Sequence, residues 1–387
     1  MRNWKIVALV TAVSTSIALL ASCGGSDGNS SGATKTARAA APLATQAITV
    51  ATLGSRAQDR IGRANKLATV APAISASAPE QGLNAAVARF QRGSTISARA
   101  TSAQALTAST CTSGKVTPSG NTLVYENCEY TIGDTRYFED GTMTYSSVDS
   151  ADSSSFTFSA GTAQKPYILR ESKIGTMKTP IFEMSITANV TGTNAGKVCA
   201  SVYNVGYSTS TVKMTGEFRV KESSGTVASA DFTLKAADLS EAVSVAKFDT
   251  AKCDPLDITV TENGSIALTD HVSGTEISMT ASNLAMHSAV ETNTNMQKIL
   301  TTSLTGTVDT KSPCFTGSLT FTTIENIVQL MDGDEADGCP IAGKLALSGS
   351  VVGTVRYTAT GGVEIDNGSD GTVDQTFKSC EDANICS

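Results

Sequence analysis

The sequence predicts an all-β protein. The expected architecture is a large antiparallel sheet, closed or curled as a barrel, a half-barrel or a sandwich, with a partly helical or disordered segment ahead of it. Three observations lead there. From Cys111 onward, apolar and polar residues alternate in several runs, as they do in strands with one buried face. Those runs are rich in Thr, Val, Ile, Phe and Tyr and are punctuated by Gly, Asn and Asp. Eight cysteines fall in this region, an even number that suits a disulfide framework.

The first residues read as an export signal. Arg2 and Lys5 are followed by an apolar stretch from Ile6 to Leu20 that is diluted with Thr and Ser. It is too short and mixed for a membrane-spanning helix. The stretch ends in Leu20-Ala21-Ser22-Cys23. A Cys placed directly after Leu-Ala-Ser resembles the lipobox of the bacterial lipoprotein class. That resemblance implies removal of residues 1–22, lipidation of Cys23 by diacylglycerol and an amide-linked acyl chain, and attachment to a membrane through the N-terminal lipid. Each buried CH₂ of such chains contributes about 0.8 kcal/mol, so two or three chains hold stably where one does not. Gly24 rather than Asp follows the Cys, which by the sorting rule of such lipoproteins implies the outer membrane of the cell envelope.

Residues 23–44 are rich in Gly, Ser and Ala and read as a flexible tether. Residues 45–110 are rich in Ala, Ser and Gln. Ser55 to Leu67 and Gln81 to Gln91 have helix-favouring content, but Pro72 and Pro79 limit its extent. Between Gly24 and Thr110 stand Lys35, Arg38, Arg56, Arg60, Arg63, Lys66, Arg89, Arg92 and Arg99, against Asp27, Asp59 and Glu80. With a net charge of −7 for the whole chain, the remainder is strongly acidic. Nucleic acid is therefore not an expected partner of residues 111–387, because phosphate contacts need clustered Lys and Arg.

Residues 111–387 form the expected β domain. Met184, Ile186, Ala188 and Val190 alternate with Ser185, Thr187, Asn189 and Thr191. Val212, Met214, Phe218 and Val220 follow the same rule, as do Phe232 and Leu234. Glu262-Asn263-Gly264-Ser265 between Ile258–Thr261 and Ile266–Leu268 reads as a hairpin turn, since Asn-Gly tolerates positive φ at both positions. Glu139-Asp140-Gly141 reads similarly. Ile324, Ile327, Val328 and Met331 share helical spacing and predict one helical interruption. Leu345–Val351, Gly353–Tyr357 and Gly362–Ile365 read as a closing meander. Cys111, Cys314 and Cys339 each precede a Gly and a strand-like run, which suggests reuse of a Cys-clamped hairpin. A transmembrane barrel is disfavoured, because the only Trp, Trp4, lies in the signal and no aromatic girdle is evident.

With Cys23 lipidated, the expected disulfides join neighbours in sequence: Cys111–Cys128, Cys199–Cys253, Cys314–Cys339 and Cys380–Cys386. Eight cysteines allow 105 connectivities, and paired C-x-x-C spacing for a zinc site is absent.

Signals for chemistry are sparse. Gly24-Gly25-Ser26-Asp27-Gly28 matches G-x-S-x-G but lacks the strand and helix that a nucleophile elbow requires. The histidines are His271 and His287 alone, and no H-E-x-x-H motif occurs. No catalytic residue is singled out, and an enzyme, a hydrolase above all, is the least favoured class. Two acidic loops are calcium candidates. Asp332 to Asp337 is one. The other has Asp366, Asp370 and Asp374 at the first, fifth and ninth positions of an EF-hand-like loop with Gly371 at the sixth, but Gly368 and Phe377 replace its third and twelfth ligands. Turn-forming chemistry explains the same residues. No other cofactor is implied. The expectation is thus a lipid-anchored envelope protein whose β domain holds an apolar ligand, docks an envelope protein or serves a structural role. A surface adhesive or interaction protein is the alternative.

Overall fold

The computed structural model describes residues 111–379, apart from 175–179, 201–204, 225–226, 250–252, 275, 312–315 and 333–334. The predicted signal, tether and Ala/Ser-rich segment lie outside the described residues, as do Cys23 and the G-x-S-x-G match. Among the described residues there is no helix, and the strands form one sheet.

The chain climbs and descends in sequence order. The opening strands are β1 (Ser113–Ser119), β2 (Thr122–Ile132), β3 (Thr135–Asp149), β4 (Ser153–Ala160) and β5 (Tyr167–Lys173). Long strands follow: β6 (Phe182–Ala200), β7 (Val205–Ser224), β8 (Val227–Asp249), β9 (Asp254–Asp270), β10 (Glu276–Thr292), β11 (Lys298–Lys311), β12 (Thr316–Asp332) and β13 (Glu335–Gly349). The sheet tapers through β14 (Gly353–Tyr357), β15 (Val363–Asn367) and β16 (Gln375–Phe377). Each strand pairs antiparallel with its successor, with one exception. β4 and β5 share a single lane between β3 and β6, with Met143–Asp149 of β3 on β4 and Thr135–Asp140 on β5. The edge strands β1 and β16 have 7 and 3 residues, which keeps the unpaired backbone short.

Alternation places the core. On β6, Phe182, Met184, Ile186, Ala188 and Val190 are buried, while the residues between them are at least partly exposed. The same face continues through β7, β8 and β9 as Val212 and Met214, Leu234 and Leu239, then Ile258 and Ile266. One apolar cluster runs from Val116 on β1 to Ile365 on β15. No helix or second sheet among the described residues covers that face, so the sheet curls partway to a ring and covers itself.

Bulges at similar positions along successive hairpins turn the corners. Asp238 in β8 and Asn283 in β10 adopt φ of 51° and 49°, where Asp and Asn are tolerated better than other side chains. The pairing register shifts at both, and the next residues, Leu239 and Leu284, are driven into the core. A glycine on the following strand fits against each bulge. A Cβ on Gly264 would stand 2.3 Å from the Asp238 carbonyl oxygen, and one on Gly306 would stand 2.3 Å from that of Asn283. In the third hairpin Asn326-Ile327 of β12 is opposed by Gly343 of β13, again with shifted register and a buried apolar residue, Ile327. Asp238, Asn283 and Asn326 stand 45 and 43 positions apart. The first two corners share an Asx residue of positive φ, a buried Leu and an opposing glycine; the third shares the buried apolar residue and the glycine but not the positive φ.

This device corrects three local expectations. Asn263-Gly264 is no turn: β9 passes straight through it. Gly264 has positive φ and Asn263 does not, so a type I′ turn cannot form. The Asn263 side chain instead accepts the Asn283 backbone N–H at 2.7 Å. Glu139-Asp140-Gly141 likewise lies inside β3, with Gly141 (φ 113°) at the point where β3 leaves β5 for β4. The helix expected at Ile324–Met331 is part of β12. Register shifts between Thr323 and Leu330 break the period of two, and the broken period imitates helical spacing. The closing meander is present as β13, β14 and β15.

Two disulfides close within the described residues. Cys111–Cys128 ties the start of the domain to β2, and Cys199–Cys253 ties the end of β6 to the turn before β9. Cys339 is also disulfide-bonded. Cys314, Cys380 and Cys386 lie outside the described residues.

Candidate functional site

The inner face carries few ionisable groups, and two of them meet. Glu241 of β8 and Glu262 of β9 are direct register partners. Strand alternation turns both inward, Glu241 with Leu239 and Val243, Glu262 with Val260. Their flanking partners in the same row are Val212 on β7 and Leu284 on β10, both buried. Glu262 is 8% exposed. Burial pushes the carboxyl of Glu241 up to about 7. Burial does the same to Glu262, also to about 7, with the neighbouring Glu241 charge adding to it. Among the described residues neither carboxyl has a hydrogen-bond or cationic partner; Glu241 is half-buried, and the carboxyl oxygens of both keep some contact with solvent.

A second buried carboxyl shows the ordinary solution. Glu139 on β3 accepts hydrogen bonds from the hydroxyls of Tyr130 at 2.5 Å and Tyr167 at 2.8 Å, with Tyr125 contributing a third. Tyr125 packs edge-on against Tyr167 at 5.8 Å between ring centroids. Burial still raises the Glu139 pKa, but the tyrosines pull it back. This closed network is built to be buried. The Glu241–Glu262 pair has no such closure.

Other polar groups share its part of the inner face. Asn194 donates from Nδ2 to Ser154 Oγ at 2.8 Å, one inward position along from the row of Phe156, Gly192, Val212, Glu241 and Glu262. Ser288 and Thr302 are buried together with their hydroxyls 3.3 Å apart, and Gln329 is buried nearby on β12. Toward the opposite end of β6 to β9 the same face is apolar, with Phe182, Met184, Leu234 and Leu268.

The residues singled out from sequence do not converge. His271 lies exposed just past β9, its Nε2 2.8 Å from Thr233 Oγ1. His287 is on the outer side of β10, its Nε2 2.9 Å from Asp257 Oδ1. They sit toward opposite ends of the sheet and do not share a site. In the second acidic loop Asp366 accepts the backbone N–H groups of Asp370 and Gly371, at 3.2 and 3.0 Å. Asp370 accepts that of Thr372 at 2.8 Å and Asp374 that of Asn367 at 2.6 Å. The three carboxylates are thus engaged in winding their own loop. The side chains of Asp332 to Asp337 lie outside the described residues. Among the described residues no group of three or more His, Cys, Asp or Glu is arranged to hold a metal ion.

No protein-family model, curated protein or solved structure matches this chain.

Proposed function

We propose that this is a lipid-anchored envelope protein whose curled sheet binds a ligand on its inner face without catalysing a reaction on it. The anchor rests on Leu20-Ala21-Ser22-Cys23. Disulfides at Cys111–Cys128 and Cys199–Cys253 agree with export, since such bonds persist in oxidising compartments. The observation that carries the binding role is the Glu241–Glu262 pair, two facing carboxyls on the inner face with no protein partner among the described residues. Carboxyls held on an inner face without a protein partner cost stability, and groups perturbed in this way cluster at functional sites. The ligand this reading implies has a polar or cationic group for Glu241 and Glu262; Phe182, Met184, Leu234 and Leu268 at the other end are already packed, at 0–4% exposure.

Two measurements test this. Replacing Cys23 by Ala should move the full chain from the membrane fraction to the soluble fraction and abolish incorporation of labelled fatty acid. Retention in the membrane would refute the anchor. Native mass spectrometry of the Cys23→Ala variant recovered from the periplasm should show added mass that is lost on denaturation. Reproducibly bare protein would refute the binding role and leave a structural one.

A further inference from the structure

We propose that Glu241 and Glu262 form a proton-operated latch on the seam between β8 and β9. While both carboxyls keep their protons the inner face stays closed at this row. When both protons leave to solvent, two like charges face each other and the seam loosens locally. This goes beyond the binding role and requires no ligand.

The geometry is that of a direct cross-strand pair, whose Cβ atoms lie about 4.5–5.5 Å apart and where like charges repel. The side chains beside the pair carry no compensating charge. Val212 faces it from β7 and Leu284 from β10. Among the described side chains no Lys, Arg or His takes an inward position along β6 to β10, where, besides the pair and Asp270, those positions hold apolar residues, small residues, Asn194, Ser210 and Ser288. The other inward carboxylate of β9, Asp270, is eight residues away at the strand end, where it accepts the Val272 and Ser273 N–H groups. The ladder beside the pair is already interrupted. Register shifts fall between Ala237 and Ser240 on one side of β9, and between Ala281 and Leu284 on the other. A seam bounded by bulges can open without unravelling whole strands.

The raised carboxyls fix the sign. A group that holds its proton more tightly when folded contributes stability below its unfolded pKa of 4.5. That contribution is lost as pH rises through the folded value near 7.

Hydrogen exchange of the full chain in detergent, read by mass spectrometry and corrected for the intrinsic pH dependence, tests the latch. Between about pH 5.5 and about pH 8, peptides covering 236–246 and 258–268 should lose about tenfold more protection than peptides from β12 and β13. The double variant Glu241→Gln, Glu262→Gln should remove that difference. Uniform loss across all peptides, or a difference that persists in the variant, overturns the proposal. Should the double variant not fold, infrared titration of the wild-type protein decides. Protonated carboxyl absorption that persists to about pH 6 and vanishes by about pH 8 supports the latch, and its absence at about pH 6 overturns it.

Discussion

Replacing Gly306 by Ala isolates the energetic worth of a bulge corner. Gly306 has φ 127°, a region that side-chain-bearing residues rarely enter, and its missing Cβ would lie 2.3 Å from Asn283 O and 2.5 Å from Leu284 Cα. Both obstacles are backbone, so β10 and β11 must move apart for the methyl group to fit. Strain of about 1–3 kcal/mol from the backbone angle adds to about 1–3 kcal/mol from overpacking. The expected loss is about 3 kcal/mol or more. Gly274 is the control. It has φ 73°, but a Cβ there would meet nothing within 4 Å. Its replacement by Ala costs about 1–2 kcal/mol in the left-handed region, offset by about 0.4–1 kcal/mol from the lower entropy of the unfolded chain. Urea unfolding of both variants, with the slope m unchanged, gives the comparison. Two losses within about 0.5 kcal/mol of each other would show that the glycine seats nothing, and the account of the corners would fail.

Further expectations concern the disulfides, the tyrosine cluster and pH. Cys199–Cys253 spans 54 residues and Cys111–Cys128 spans 17. By loop-closure entropy, replacing both cysteines of the first pair with Ser costs about 4 kcal/mol and of the second about 3 kcal/mol. A larger loss for the shorter loop in urea unfolding would refute that ordering. Tyr167→Phe deprives buried Glu139 of a donor and should cost about 1–3 kcal/mol. A denaturation midpoint unchanged from wild type would show that the network does not depend on this bond. Global stability should fall from about pH 5 to about pH 8, by up to about 3 kcal/mol for each carboxyl of the Glu241–Glu262 pair, and fall less in the Gln variant. Glu129 and Asp270, whose hydrogen bonds hold them low, act in the opposite direction but only in more acidic solution.

Much of the fold is legible in the sequence because a half-buried strand writes its faces into alternate residues. Met184 to Val190 and Val212 to Val220 announce β6 and β7 in this way. Bulges are harder to read. One extra residue at Asp238, Asn283 or Asn326 shifts the phase of alternation, so a bulged strand resembles a helix at Ile324–Met331 and a hairpin at Asn263-Gly264. The candidate site is less legible still. Glu241 and Glu262 become partners only through the β8–β9 register, and a Glu beside Asn-Gly looks like an exposed turn residue. The available signal was that Glu262 holds the phase of Ile258 and Val260, which would have placed it indoors. His271 and His287 attracted notice for their chemistry, yet each is engaged by one local partner.

The repeated corner also bears on how such a sheet changes size. Each hairpin from β8 to β13 brings its own bend and its own seat for the next. A whole hairpin such as β10–β11 could be lost, or another gained, and β9 would still meet a strand with an equivalent kink. Cys199 and Cys253 lie outside that hairpin, so their disulfide would survive the change. The circumference of the domain is therefore a countable quantity, set by the number of units. Relatives of this chain are expected to differ by multiples of about 40–45 residues rather than by scattered insertions.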